Sequence, residues 1–190
     1  TATPIAYASD RVVLAKFSTL EESARYSVGA QVYTPILGVL ASMGLAMWGA
    51  KELSAFAIGK RTMLIFGVLG MLAVVGGTPV YAHLVAGDGD FVPAQVLLAF
   101  GLLLFGQALV IPRLMILSSG RDLAFHAAVV TASAGANLPL SILAARLCGA
   151  EGPIYASCAT LFAIQLPSCL IRERMSSLRR NSARRSTSRI

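Results

Sequence analysis

IAYASDRVVLAKF, residues 5–17, is an apolar segment with two opposite charges, Asp10 and Arg11, at its centre. On a helix with 100° per residue, Tyr7 lies on the same face as these charges, and the opposite face is apolar. A charge in the middle of a membrane costs at least ~2.5–3.5 kcal/mol, so such side chains normally face a bundle interior or a wet cavity. We therefore expect a membrane helix that lines a polar cavity. The alternative is an amphipathic segment lying at the membrane surface.

The composition is typical of a membrane protein. Of the 190 residues, 56% are hydrophobic and only 13% are charged, whereas soluble domains carry roughly 25% charged residues. The net charge of +7 is local, because seven of the sixteen basic residues lie within residues 172–190. We therefore predict no nucleic-acid partner. The basic tail, residues 173–190, has a composition that builds no core, and we expect it to be disordered or to rest on anionic lipid.

Long apolar runs separated by short charged loops predict an all-α, polytopic membrane protein, because lipid forces every backbone group into internal hydrogen bonds. We predict six transmembrane helices within residues 1–172. Their approximate ranges are 1–17, 20–50, 62–86, 93–117, 122–147 and 153–172.

The charges of the loops predict an orientation. Lysine and arginine are concentrated in residues 51–61, residues 113–122 and the basic tail, whereas the other three short loops carry only acidic charge. By the positive-inside rule, the basic loops and both termini lie in the cytoplasm.

Local patterns add detail to two of the predicted helices. Ser18 with Glu21 and Thr19 with Glu22 are two overlapping capping boxes at the start of the second helix. Small residues recur every fourth position on the second and fifth helices, where we expect another helix to approach closely. These stripes are Gly38, Ser42, Ala46 and Ala50, and Ala124, Ala128, Ala132 and Ala136; Ser133, Asn137 and Ser141 form a neighbouring stripe on the fifth helix.

Several segments, taken in order, resemble a known transporter family. DRVVL (10–14) followed by LEESARYSVG (20–29), and later LSSGR (117–121), NLPLS (137–141) and GAEG (149–152), are similar to segments of polysaccharide, or lipid-linked oligosaccharide, flippases. These flippases belong to the multidrug/oligosaccharidyl-lipid/polysaccharide exporter superfamily. The resemblance covers nearly the whole chain, but only as the C-terminal half of the family pattern. It therefore implies one lobe of a two-lobe bundle, whose partner is a missing N-terminal lobe or a second subunit.

The resemblance implies transport of an undecaprenyl-pyrophosphate-linked oligosaccharide across the bacterial inner membrane by alternating access. Such a substrate needs cationic and hydrogen-bonding groups along its path. Arg11 is the first candidate for a substrate contact, and Asp10 would pair with it or take part in coupling to a proton or sodium gradient. Tyr7, Tyr33 and Asn137 could offer hydrogen bonds to sugar. The alternative for these residues is helix packing, or an ion pair between the two charges.

Three further cations, Lys16, Arg25 and Arg146, lie near predicted helix ends on the outer side. They could stand at the mouth of a cavity. Alternatively, they are interfacial residues that extend their charges to the headgroups.

Other classes remain open. The chain could be half of a multidrug exporter with the same fold, or a structural or accessory membrane subunit that docks through its basic tail. We predict no enzyme, because no convergent set of His, Asp or Glu appears at one membrane face. We also predict no cofactor and no metal site, since Cys148, Cys158 and Cys169 lack metal-ligand spacing. The three cysteines are expected to be packing residues.

Overall fold

The computed structural model describes residues 13, 14, 16, 18–48, 53–117 and 122–175. This part of the chain is helical, without strands, and contains five helices that are long and apolar enough to cross a membrane. They are α1 (Leu20–Trp48), α2 (Leu53–Ala86), α3 (Ala94–Leu117), α4 (Leu123–Cys148) and α5 (Gly152–Met175). They correspond to the second to sixth predicted spans. The first predicted span lies almost entirely outside the described residues.

The start of α1 has one of the two predicted capping boxes. The backbone N–H of Thr19 donates to Glu22 Oε2 at 3.0 Å, and the N–H of Glu22 donates to Thr19 Oγ1 at 3.2 Å. Ser18 instead donates its hydroxyl to the Leu14 carbonyl at 2.7 Å, and Glu21 pairs with a later side chain of α1. The cap at Thr19 therefore gives an acceptor to two backbone N–H groups, those of Thr19 and Glu22, which have no partner within the helix.

The helix α2 begins at Leu53, nine residues before the predicted position at 62. Lys60 and Arg61 were expected in a loop, but they lie within the helix. Long basic side chains can leave a helix near its end and reach the membrane surface, so they do not require a break in the backbone. The helix is 34 residues long, and its first turns extend beyond the span of a bilayer.

The central helix is α3. It is the most buried of the five helices. It packs against α1, α2 and α5, while α4 packs mainly against α5. Phe100 of α3 fills the core between Tyr26 and Tyr33 of α1, with ring centroids 5.4 and 5.3 Å away. Gly29 of α1 makes room for it, since a Cβ there would overlap the Phe100 ring.

Each of the five helices contains an interior proline: Pro35, Pro79, Pro112, Pro139 and Pro167. A proline has no N–H, so the carbonyl four residues earlier loses its usual donor, and its ring crowds that turn. The consequence is visible in α5, where Leu161–Gln165 forms a π-helical turn just before Pro167. In a membrane, the freed carbonyls must be satisfied by neighbouring helices, side chains or water.

The predicted small-residue stripes face outwards. In α1, Gly38 has nothing within 4 Å of an added Cβ, and Ser42 and Ala46 are exposed. In α4, the stripe that begins at Ala124 is largely exposed, and α4 instead buries the neighbouring stripe of Ser133, Asn137 and Ser141. The polar stripe is preferred at the contact because α5 offers it hydrogen-bonding partners.

Candidate functional site

Polar side chains meet between α4 and α5, near the middle of both helices. We call the set of Ser133, Asn137, Ser157, Thr160 and Gln165 the polar seam. Gln165 Nε2 donates to Ser133 Oγ at 2.8 Å. The hydroxyls of Ser157 and Thr160 both approach Asn137 Oδ1, at 3.4 Å. The three best-buried members, Ser133, Thr160 and Asn137, are 2%, 4% and 7% exposed.

The sequence builds the seam from two different spacings. On α4, Ser133 and Asn137 are four residues apart and therefore share one face of a regular helix. On α5, Thr160 and Gln165 are five residues apart, which would separate them by about 140° on a regular α-helix. The π-helical turn Leu161–Gln165 widens the helix between them, so both side chains reach α4. Pro167 thus favours the geometry that completes the seam.

The hydrogen bonds to Asn137 are the weaker ones of the seam. Asn137 accepts from both Ser157 and Thr160 with its side-chain carbonyl oxygen. Both contacts are long for hydrogen bonds, at 3.4 Å. Pro139 lacks the backbone N–H that would donate to the Gly135 carbonyl in a regular α-helix. The long contacts at Asn137 could therefore be exchanged for water or a hydroxyl-rich solute.

The exposed faces of α2 and α4 differ in the size of their side chains. The face of α2 carries large apolar side chains, which suit lipid. These are Leu64, Ile65, Phe66, Val68, Leu69, Leu72, Val80, Leu84 and Val85. The first half of α4 exposes mainly small residues, including Thr131 and Ala134, and Gly135 has open space around it. Toward its end α4 also becomes leucine-rich. The first half of α4 is therefore less suited to hydrocarbon than α2.

Of the five predicted site residues, the structure describes Tyr33 and Asn137, and these two lie in different helix interfaces. Tyr33 is fully buried in the core against Phe100, so a solute could reach its ring only if α1 and α3 separated. Asn137 lies in the polar seam, in a different helix interface. Tyr7, Asp10 and Arg11 lie outside the described residues, and their place at a cavity stays a prediction.

The three cations predicted at the outer side have different environments. Arg25 donates to Glu21 Oε1 at 2.6 Å, and its guanidinium lies over the Phe91 ring, 5.9 Å from the centroid. Lys16 and Arg146 are exposed. Arg25 also borders a small pocket of about 70 Å³ between the start of α1, the start of α3 and the α4–α5 turn. That pocket is lined by Glu22, Arg25, Tyr26, Pro93, Val96, Cys148 and Glu151.

The opposite end of the bundle is rich in cations, and we call it the basic end. Within the part of the chain that the structure describes, it carries Lys60, Arg61, Arg113, Arg172 and Arg174, together with the acidic residues Asp122 and Glu173. Glu173 of α5 bridges two helices: Lys60 Nζ of α2 lies 2.8 Å from Oε1, and Arg113 Nε of α3 lies 3.2 Å from Oε2. A separate pair joins Arg172 Nε to Asp122 Oδ1 at 2.8 Å, and the same guanidinium lies over the Phe125 ring.

The sequence reasoning missed the α5 half of the seam and the pairs at the basic end. The sequence analysis assigns no role to Ser157, Thr160 and Gln165. A polar side chain within a membrane helix is itself a signal, because it needs a partner there. Gln165 next to Pro167 was the clearest such signal. The partners at the basic end depend on how the helices pack, which the sequence does not specify.

Comparison with protein-family models, curated proteins and solved structures found no match to this chain. The composition and the five apolar helices support a multi-pass membrane protein.

Proposed function

We propose that the chain is one lobe of a transporter that moves an undecaprenyl-pyrophosphate-linked oligosaccharide across the bacterial inner membrane by alternating access. The observation that carries the proposal is the polar seam between α4 and α5. Its hydrogen-bonding groups lie near the middle of two helices that are long and apolar enough to cross a membrane. In hydrocarbon such groups cost free energy unless they have a partner or a role.

The exposed surface of α4 supports the same proposal. A face with small side chains offers little surface to hydrocarbon, but it lets a second lobe approach closely. Sugars present many hydroxyls, and an amide such as Asn137 can bind them as donor and acceptor. The charged segment around Asp10 and Arg11 would supply the cationic contact that a diphosphate needs.

Prolines in every described helix also fit alternating access. Each proline removes a backbone hydrogen bond and creates a point where a helix can bend. Transporter sites typically lie at such interrupted helices near the bilayer midplane. In this chain, Pro139 and Pro167 flank the polar seam. A bend at these positions would open or close the contact between α4 and α5.

The first test measures glycan export in a bacterial strain that lacks its own flippase and carries the full gene. Replacing Arg11 with Ala should abolish export while leaving the amount of protein in the membrane unchanged. Replacing Asn137 with Ala should lower export by roughly two- to tenfold, the value of one lost hydrogen bond. Ser42→Ala is the matched control, because Ser42 is exposed on α1 and its hydroxyl bonds to the Gly38 carbonyl within the same helix. Full export by the Arg11 variant would remove the proposed substrate site.

The mass of the native protein tests whether this chain is one lobe of a larger transporter. An immunoblot of a tagged chromosomal copy should show a band about twice the 19.9 kDa of this chain. A band at the mass of this chain would require a second subunit to enclose a cavity, and would count against a single-chain flippase.

A structural or accessory subunit is the second candidate. It is favoured by the hydrogen bond between Gln165 and Ser133, since that contact can serve to hold α4 and α5 together. In that case Asn137→Ala would change the abundance of its complex and leave transport per complex unaltered. A half of a multidrug exporter remains a third possibility, and efflux of a cationic dye in place of glycan would identify it.

A further inference from the structure

The π-helical turn Leu161–Gln165 divides α5 into a first half and a second half. The first half is held by packing. Gly152 lies directly against the backbone of α4, and the Cys158 thiol donates to the Ala99 carbonyl of α3 at 3.4 Å. Leu161, at the start of the turn, is buried beside α3. A change in the shape of the turn would therefore displace the second half of α5.

The second half is held by two adjacent residues of opposite charge. Arg172 Nε donates to Asp122 Oδ1 at 2.8 Å, just before the start of α4. The two oxygens of Glu173 lie 2.8 Å from Lys60 Nζ of α2 and 3.2 Å from Arg113 Nε of α3. Adjacent side chains on a helix point about 100° apart. Both charges therefore face their partners in only one register of α5.

The π-helical turn sets that register. It contains one residue more than an α-helical turn, so every later residue lies one position behind its place in a regular helix, or about 100° and 1.5 Å. If the turn became α-helical while the first half stayed in place, each later side chain would move to the place of the next one. Arg172 would take the place of Glu173 and would meet two other cations, Lys60 and Arg113. Attraction would be replaced by repulsion between like charges.

We infer that α5 has two registers, and that the ion pairs of Arg172 and Glu173 hold it in the register that contains the π-helical turn. The same register brings Gln165 Nε2 to Ser133 Oγ at 2.8 Å. The ion pairs lie about 10 Å along α5 from this contact, yet their loss would release the turn and separate Gln165 from Ser133. The second half of α5 thus couples the basic end to the polar seam, whatever the chain transports.

The native cysteines report the register. Cys169 lies in the second half of α5 and is fully buried, whereas Leu170, whose place it would take in a regular helix, is 41% exposed. Cys158 lies in the first half and would keep its buried place, and Cys148 is exposed at the end of α4. The test measures the rate at which N-ethylmaleimide alkylates each cysteine of the full chain in detergent, followed by mass spectrometry of the peptides.

The decisive variant exchanges the two charges, Arg172→Glu with Glu173→Arg. The net charge is unchanged, but a carboxylate at position 172 meets Lys60 and Arg113 only in a regular helix. Alkylation of Cys169 should become at least about tenfold faster, with the rate at Cys158 unchanged. The matched control is Arg172→Gln with Glu173→Gln, which also keeps the net charge but favours neither register. It should accelerate Cys169 by only about threefold.

An unchanged rate at Cys169 in the exchange variant would overturn the inference. Equal rates in the exchange and control variants would also overturn it, because the ion pairs would then only brace the end of α5. Equal acceleration of Cys158 and Cys169 would contradict a fixed first half, with the same consequence.

Pro167→Ala tests the register without changing a charge, and it serves if the exchange variant does not fold. The restored N–H can bond to the Ala163 carbonyl and favours a regular helix. We expect faster alkylation of Cys169, with Cys158 unchanged. A rate at Cys169 equal to that of the unaltered chain would show that the turn does not set the register, and would overturn the inference.

Discussion

The α2–α3 contact is close-packed and apolar, whereas the α4–α5 contact contains hydrogen-bonded polar side chains. Between α2 and α3, glycines bring the backbones close: a Cβ at Gly67 would overlap Ala108, and one at Gly70 would overlap Leu104. Both partners on α3 are buried, with Ala108 at 1% and Leu104 at 0% exposure. Between α4 and α5, hydroxyl and amide groups make the contact, two prolines interrupt the helices, and one turn is π-helical.

This difference divides the molecule into a rigid part and a part that can rearrange. Close apolar packing has one good arrangement, because small displacements open voids or create overlaps. Hydrogen bonds between Ser, Thr, Asn and Gln can exchange partners, and in membranes each contributes only about 0.6 kcal/mol. We therefore expect α1, α2 and α3 to act as a scaffold, and any rearrangement to occur where α4 meets α5.

Gly67→Leu should have the largest effect. The added side chain would collide with Ala108, and α2 could not keep its distance from α3. Overpacking of this kind costs about 3 kcal/mol, and unfolding in mixed detergent–SDS micelles, followed by circular dichroism, would measure it. Gly76→Leu is the control on the same helix, because nothing lies within 4 Å of an added Cβ there. Similar losses for the two variants would show that the contact is not close-packed.

Gly152→Ala tests whether α4 and α5 are packed closely together at the turn that joins them. Gly152 starts α5, and an added Cβ would overlap the backbone of Ala144 in α4, which cannot move aside as a side chain can. We expect a loss of about 2 kcal/mol in the free energy of unfolding. Gly135→Ala, in the open middle of α4, should instead stabilise the helix by up to about 1 kcal/mol. An unchanged free energy of unfolding for Gly152→Ala would show that the α4–α5 turn is packed no more closely than the polar seam.

The sequence was sufficient to predict features that depend on one helix at a time. Apolar runs of about 20 residues predicted the helices, and Thr19 with Glu22 predicted the cap that the structure contains. The predicted start of α2, at residue 62, is nine residues too late because Lys60 and Arg61 indicated a loop. Lys60 instead lies within the helix and pairs with Glu173, which lies more than a hundred residues later and could not be identified as its partner from the sequence.

Which face of α4 makes a contact could not be predicted from α4 alone. The alanine stripe and the stripe of Ser133 and Asn137 lie next to each other, about 100° apart, and both suit close packing. The choice is made by Gln165 and Thr160 on α5, which donate to the polar stripe. Likewise, only the positions of neighbouring helices place Tyr33 in the core instead of at a cavity.

The smallest predicted effect concerns Gln165, Ser133 and the π-helical turn that joins them. A double-mutant cycle with Gln165→Ala and Ser133→Ala should give a coupling free energy of about 0.6 kcal/mol. Pro167→Ala restores an N–H that can bond to the Ala163 carbonyl, which favours a regular α-helix and turns Gln165 away from Ser133. The same cycle in the Pro167→Ala background should therefore give a coupling near zero. An unchanged coupling would show that the wide turn does not depend on the proline, and that α5 holds Gln165 in place by its packing against α4.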